Sequence, residues 1–154
     1  MAIFIPGMPC AISGKPIMRV DDLVAFPPFV ANEADPLYVF SDAVIDRDVF
    51  LSDPRADDVQ VRYEEFRERT SPTNRICAVC GNRFTDPDDY LGFGHLVSDP
   101  RHPLHPFNYT QVHRSCVPRW DQTDRVLELL ERLQVSGEWR GSALARLIDS
   151  LRIA

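Results

Sequence analysis

The sequence predicts an α+β fold of two tandem modules followed by C-terminal helices, and three observations lead to this prediction. Residues 10–51 align with residues 77–118 without a gap at an offset of 67, with eleven identities in forty-two positions. Short apolar runs in each copy alternate with Pro-rich turns, as is typical of short strands. Apolar residues near the end of the chain recur at helical spacing. Because the identities are mostly Cys, Gly, Pro and apolar types, we interpret the two segments as copies of one module.

The offset also sets the predicted domain boundaries. We predict a first module over residues 1–56, a helical linker over 57–74, a second module over 75–120 and C-terminal helices over 121–154. The predicted strands are residues 23–30 and 37–45 in the first copy and residues 90–97 and 107–112 in the second. The predicted helices are one capped by Asp57 or Asp58, one opened by the pair His113 and Cys116, one over residues 121–134, and one capped by Ser142 that buries Leu144, Leu147, Ile148 and Leu151.

Four side chains of the second copy have the spacing of a structural metal site. Cys77 and Cys80 form a CxxC pair, and His113 and Cys116, also three residues apart, begin thirty-three residues after Cys80. Zn²⁺ in structural sites takes four sulfur or nitrogen ligands in a tetrahedral arrangement. The sequence therefore predicts one structural Zn²⁺ held by these four residues. The alternative is two disulfides or free core thiols, and we favour it less because the spacing of the two ligand pairs matches that of a zinc site.

The first copy is predicted to be free of metal. The residues at its four ligand positions are Cys10, Ser13, Asp46 and Val49, and only Cys10 is a good zinc ligand. Asp46 beside Asp48 suggests a site for a hard cation, but we favour a solvated loop or a helix cap. Packing would then hold this copy together, with a predicted core of Phe26, Phe29, Leu37, Val39, Phe40, Val44 and Phe50.

Composition limits the class of partner and the compartment. The chain has 154 residues, a net charge of −6 and a pI of about 5.1. Binding of nucleic acid normally needs a basic surface, so this acidity disfavours nucleic acid and favours a basic protein partner. There is no apolar run of about 18 residues that would span a membrane, and residues 1–7 lack the features of a signal peptide. Three cysteines assigned to metal and one left over suit a reducing cytoplasm.

A CxxC knuckle, a hairpin and a second ligand pair in the first turn of a helix resemble the treble-clef zinc fold. The resemblance covers residues 77–130 and, in degenerate form, residues 10–56. Within that group the segment Phe93-Gly94-His95-Leu96-Val97 is similar to the strand that carries the general-base His of HNH endonucleases. Asn108 is similar to the central Asn of those enzymes. This resemblance implies catalytic roles for His95 and Asn108 in a metal-dependent nuclease.

Two departures from the HNH pattern favour a non-catalytic protein. Gly94 stands where these enzymes usually have an acidic residue or His, and Val117 follows Cys116 where a metal-binding His is expected. A hydrolytic site needs a metal ion to polarise the phosphate, so the loss of its ligand removes the catalyst. His95, His102 and His105 could instead form a second metal site or a pH-sensitive contact, although we favour solvated side chains in an exposed loop.

The sequence thus favours two tandem treble-clef-like zinc-ribbon modules that act as a non-catalytic, zinc-stabilised protein-binding unit. Small acidic proteins of this kind resemble bacterial immunity proteins, antitoxins or adaptors that occlude a basic partner. The candidate contact surfaces are residues 53–68 and the loop 99–107. The alternatives are an HNH-like nuclease that uses His95 and Asn108, and a nucleic-acid-binding regulator.

Overall fold

A computed structural model describes residues 4–154. Residues 1–3, which belong to the segment 1–7 predicted not to be a signal peptide, lie outside the described residues. Six short strands form three antiparallel pairs in this part of the chain: β1 (Met8–Pro9) with β2 (Pro16–Ile17), β3 (Leu23–Phe26) with β4 (Ala43–Asp46), and β5 (Tyr90–Gly92) with β6 (Gln111–His113). The α-helices are α1 (Arg47–Ser52), α2 (Ala56–Thr70), α3 (Thr123–Ser136) and α4 (Ala143–Arg152). The predicted mixture of helices with small antiparallel sheets is confirmed.

Buried apolar side chains form two separate clusters, one in each half of the chain. The first cluster contains mainly aromatic and branched residues of the first copy, and α2 packs on it through Val59 and the ring of Tyr63, which lies 5.2 Å from the ring of Phe26. The second cluster lies between β5, β6, α3 and α4. Its most deeply buried members are Cys77, Leu104, Val112, Val117, Val126, Leu130, Leu144 and Ile148. Each half therefore has its own hydrophobic core.

Backbone hydrogen bonds recur in the two halves at the same offset of 67 residues. The strand registers correspond, since Leu23 pairs with Asp46 and Tyr90 pairs with His113. Four pairs of N–H to carbonyl bonds correspond. Two of these pairs are local: Cys10 to Lys15 matches Cys77 to Asn82, and Gly14 to Cys10 matches Gly81 to Cys77. The other two pairs join residues further apart: Ala11 to Val44 matches Ala78 to Gln111, and Asp42 to Pro27 matches Tyr109 to Gly94. The two segments thus share backbone contacts between residues that are distant in sequence.

One polar side chain in each half binds the backbone of the segment that follows the first strand of its hairpin. Ser41 Oγ accepts the N–H groups of residues 29 and 30 at 3.0 Å and donates to the carbonyl of residue 30. At the equivalent position, Asn108 Oδ1 accepts the N–H groups of residues 96 and 97, and its Nδ2 donates to the carbonyl of residue 97 at 2.8 Å. The two side chains make the same three contacts with different chemical groups.

The strand predicted over residues 37–45 is wrong in its first half. Tyr38–Phe40 forms a turn of 3-10 helix, and Asp42 then takes a positive φ of 53° before β4 begins. Leu37 and Phe40 are both buried, and a spacing of three residues is the period of a 3-10 turn. Val39 was predicted in the core, but the same turn leaves it 39% exposed.

The second half departs from prediction in the same way. Its predicted strand over residues 107–112 shortens to β6, which follows the 3-10 turn His105–Phe107 and the positive φ of Tyr109, 58°. The predicted strands 23–30 and 90–97 shorten to β3 and β5. In each half, the backbone beyond the first strand turns away to meet Ser41 or Asn108 and no longer pairs in the sheet.

The predicted helices are present, with one change of type. The second ligand pair opens a 3-10 helix, Arg114–Arg119, because Pro118 cannot donate the N–H that an α-helix would need. Helix α2 begins at Ala56, just ahead of the predicted caps, and its first turn contains Asp57 and Asp58. Helix α4 buries the four predicted apolar residues, but Ser142, which precedes it at the predicted cap position, makes no capping hydrogen bond with its side chain. None of the described helices is long and apolar enough to cross a bilayer.

Polar contacts join the two halves. Arg62 of α2 donates to Asp35 of the first half at 3.3 Å and to Ser98 of the second half at 2.9 Å. Gln111 Nε2 donates to the carbonyl of Arg69 in α2 at 2.8 Å. Because α2 packs on the first core, these bonds connect that core to the second half.

Candidate metal centre

Cys77, Cys80, His113 and Cys116 come together in the second half, with one ligand atom of each within 4.8 Å of all the others. Tetrahedral Zn²⁺ has ligand bonds of about 2.0 to 2.3 Å, which places its ligand atoms somewhat less than 4 Å apart. Small side-chain movements would therefore allow all four atoms to bind one ion. Three thiols and one imidazole are a donor set typical of structural zinc, so the residues fit the predicted metal.

Local backbone geometry positions the first pair of ligands. Cys77 follows an antiparallel bridge between Ile76 and Arg83, and the chain reverses between them. The N–H of Gly81 donates to the carbonyl of Cys77 at 2.9 Å, and Gly81 has a φ of 72°. A residue with a Cβ rarely takes this conformation, so glycine allows the turn that brings Cys80 back beside Cys77.

The second pair of ligands comes from the end of β6 and the 3-10 helix that follows it. The N–H of His113 donates to Cys77 Sγ at 3.3 Å, and His113 Nδ1 lies 3.4 Å from Cys80 Sγ. Cys116 is buried inside the 3-10 helix. The β5–β6 hairpin thus places His113 beside Cys77 and Cys80, and the 3-10 helix supplies the fourth ligand, Cys116.

The protein environment favours the thiolate form of Cys77. Burial by itself would raise the pKa of this thiol, but the N–H groups of Cys80, His113 and Val79 stabilise the anion and lower the pKa to about 6. At Cys116, burial raises the pKa, and a hydrogen bond from Arg119 opposes that effect. Metal ions bind the thiolate, so Cys77 is already suited to this role near neutral pH.

Three residues around the centre were not predicted from the sequence. Arg119 donates to Cys116 Sγ at 3.3 Å, and its position three residues after the ligand is the only sequence signal for this bond. The ring of Phe84 packs 4.3 Å from the imidazole of His113. Asp89 accepts the N–H and the hydroxyl of Ser115, both at 2.8 Å, and these bonds lower the pKa of Asp89. Nothing local in the sequence connects Asp89 with Ser115.

The equivalent positions of the first half hold a different arrangement. Cys10 is buried, and its Sγ accepts the N–H groups of Ser13 and Asp46 at 3.4 Å. Asp46 Oδ1 caps α1 by accepting the N–H groups of Asp48 and Val49. Among the described residues, none of these side chains belongs to a group of three possible ligands. Asp46 therefore acts as a helix cap.

His95 and Asn108, the residues of the HNH alternative, make local contacts. His95 Nε2 lies 3.2 Å from Ser98 Oγ, while His95 Nδ1 is buried without a partner in the described structure. The amide of Asn108 is occupied by the backbone of residues 96 and 97. His102 Nδ1 accepts the N–H of Leu104. Within residues 4–154, the Cys₃His group is the only cluster of three or more possible ligands.

Comparisons with protein-family models, with curated proteins and with solved structures find no match for this chain. The likeness to treble-clef and HNH proteins therefore stays a prediction from the sequence. The assignment of the metal centre depends on the geometry of its four side chains.

Protonation of His95 is expected to lower stability in mild acid. Burial, with a smaller effect of Arg62, lowers the pKa of His95 from 6.5 to about 4, although Asp35 acts in the opposite direction. Between these pH values the unfolded chain binds more protons at this residue than the folded chain does, so its contribution to stability is present above pH 6.5 and is lost as the pH falls toward 4.

Chemical denaturation at several pH values tests this effect by comparing the wild type with His95→Gln. All the other titratable groups are common to both proteins, so their contribution cancels in the difference. The wild-type free energy of unfolding should fall more steeply between pH 6.5 and 4. Parallel curves for the two proteins would show that His95 is not the group responsible.

Proposed function

We propose that this chain is a non-catalytic protein-binding protein, stabilised by one structural zinc ion and directed at a basic partner. The observation that carries the proposal is the closed set of four protein ligands at the metal centre. A structural site with four protein ligands has no open position for a substrate or a reactive water. The zinc would supply folding energy and hold the knuckle and hairpin together.

The net charge of −6 supports a basic protein as the partner. Acidic residues are unevenly distributed, because residues 1–56 contain eight Asp and Glu against four Lys and Arg, while residues 75–120 contain four against five. A complementary charge on the partner speeds association and excludes other acidic proteins. The first half is thus the better candidate for the contact surface. This charge pattern suits an immunity protein, an antitoxin or an adaptor that covers a basic surface.

The predicted surface over residues 53–68 needs a narrower definition. Asp53 is bound to Arg55 through paired contacts of 2.8 and 2.9 Å, so its charge is already neutralised. Asp57, Asp58 and Glu64 are exposed on α2. These three carboxylates are the part of α2 that we propose for contact with a partner.

A capture experiment with matched baits tests the proposal. Asp21, Asp22 and Asp48 are exposed carboxylates of the first half. The wild type and a variant with Asp21→Asn, Asp22→Asn and Asp48→Asn would be immobilised and exposed to extract from the cells that make the protein. A basic protein retained by the wild type and lost from the variant supports the proposal. Equal retention of the same proteins by both baits contradicts a role for the acidic first half.

A plasmid-nicking assay tests the HNH alternative with the same protein. The proposal predicts no cleavage with Mg²⁺, Mn²⁺ or Ni²⁺, because His95 has no cluster of metal ligands around it in the described structure. Cleavage that His95→Ala abolishes would overturn the non-catalytic proposal. Salt-dependent retention on heparin or DNA would instead favour a nucleic-acid-binding regulator.

The tandem treble-clef-like organisation forms part of this proposal. It is supported by hydrogen bonds that recur at an offset of 67 and by the identical contacts of Ser41 and Asn108. In the first half, Cys10 keeps the N–H contacts of a metal-binding knuckle. We infer that the backbone of this half is still arranged for zinc and lacks only three of its four ligands.

Restoring those ligands is expected to create a second zinc site. The change is Ser13→Cys, Asp46→His and Val49→Cys, which completes a Cys₃His set with Cys10. The triple variant should bind two zinc ions per chain by elemental analysis, against one for the wild type. A double variant that keeps Val49 has only three ligands and serves as the matched control. A folded triple variant that still binds one zinc would contradict the proposed equivalence of the two halves.

A further inference from the structure

The three thiols of the metal centre differ sharply in their access to solvent. Cys77 and Cys116 are only 1% and 3% exposed, whereas Cys80 is exposed. Cys116 is also bound by Arg119, and Cys77 accepts the N–H of His113. Cys80 therefore is the sulfur that a small solute reaches first.

We propose that Cys80 is an oxidation site at which hydroperoxides open the metal centre. Its thiolate would attack the terminal hydroxyl oxygen of hydrogen peroxide or an organic hydroperoxide and break the O–O bond. Sulfur is oxidised by two electrons to a sulfenic acid, and the displaced hydroxide or alkoxide takes a proton from solvent. The thiolate of a metal site has the charge that this attack needs, and exposure of Cys80 supplies access.

A second step would follow within the same knuckle. Cys77 Sγ lies within 4.8 Å of Cys80 Sγ, so the Cys77 thiolate would attack the sulfenic sulfur and displace hydroxide. In total, two thiolates, one hydroperoxide and two protons give one disulfide, one alcohol or water from the peroxide, and one further water. The centre would keep only His113 and Cys116, which is too few ligands to hold structural zinc.

The effect of this oxidation should be confined to the second half of the chain. Both tryptophans, Trp120 and Trp139, belong to the core that surrounds the metal centre, so their fluorescence reports on that half. Cys10 is 2% exposed and lies in the separate core of the first half. It should therefore stay reduced while the metal centre is oxidised.

Stepwise addition of hydrogen peroxide to the zinc-loaded protein tests the proposal. A chromogenic chelator follows zinc release, and dimedone traps sulfenic acid for peptide mass spectrometry. We expect the first dimedone adduct on Cys80, one zinc released per chain, a shift in tryptophan emission, and a Cys77–Cys80 disulfide when dimedone is absent. A first adduct on Cys77 or Cys116, or zinc retained in excess peroxide, would overturn the proposal.

Two variants keep the test independent of folding. Cys80→His removes the oxidisable sulfur but keeps a zinc ligand, and its zinc release should slow by roughly tenfold or more. Cys10→Ser is the matched control and should release zinc at the wild-type rate. Release from Cys80→His at the wild-type rate would contradict the role of Cys80. If Cys80→His fails to hold zinc, the position of the first adduct in the wild type decides.

Discussion

Replacing Cys116 with serine is expected to unfold the second half of the chain and to leave the first half folded. Cys77 and Cys116 belong to the second hydrophobic cluster, so a metal bound by these residues would link the knuckle to the core of that half. Structural zinc contributes on the order of 10 kcal/mol in small zinc-binding peptides. A typical domain has a total stability of about 5 to 15 kcal/mol, so the loss of a ligand should remove most of the stability of this half.

Tryptophan fluorescence and circular dichroism measure this effect together. Both tryptophans lie in the second half, so emission should shift as in the denatured protein, while part of the helical signal persists from α2. Removal of zinc by a strong chelator should give the same spectra for the wild type. Cys10→Ser should keep the native emission, because Cys10 lies in the other core. Unchanged thermal stability of Cys116→Ser would show that the metal does not hold the fold together.

Phe40→Ala is expected to destabilise the first half by about 3 to 5 kcal/mol without changing the zinc content. Phe40 is completely buried and packs against Phe50, with ring centroids 6.1 Å apart. The guanidinium of Arg55 lies 4.7 Å above the Phe40 ring, and this cation–π contact would be lost as well. The first half has no predicted metal, so its stability depends on such packing.

Val39→Ala provides the matched control for Phe40→Ala. It lies in the same 3-10 turn but is 39% exposed, so its cost should stay within about 0.5 kcal/mol. Hydrogen exchange of the amides in β3 and β4 would report the stability of the first half directly. Equal costs for the two substitutions, or loss of zinc from Phe40→Ala, would contradict the separation of the two cores.

Short-range spacing made the metal centre predictable. The two residues of each ligand pair lie three positions apart, and only a few tight turns can bring two such side chains to one metal ion. The hairpin that joins the pairs could be inferred from the apolar runs around Leu91 and Val112. By contrast, Asp89 contacts Ser115 across 26 positions, and no periodic pattern marks such a contact.

The strands were predicted too long because burial and strand conformation were treated as one property. Leu37 and Phe40 are buried from a 3-10 turn, and Asp42 turns the chain with a positive φ before β4. The burial of Leu37 and Phe40 agrees with their apolar character, and their spacing of three residues is typical of a 3-10 turn. In a strand, Val39 would lie on the same face as the buried Leu37. Val39 is exposed instead, as the 3-10 turn requires.

The zinc content of the purified wild-type protein tests the account most directly. Elemental analysis after dialysis against metal-free buffer should give one zinc ion per chain, because one Cys₃His group is present in the described residues. Two zinc ions per chain would contradict a metal-free first half. A protein that folds fully and carries no zinc would contradict the metal centre itself.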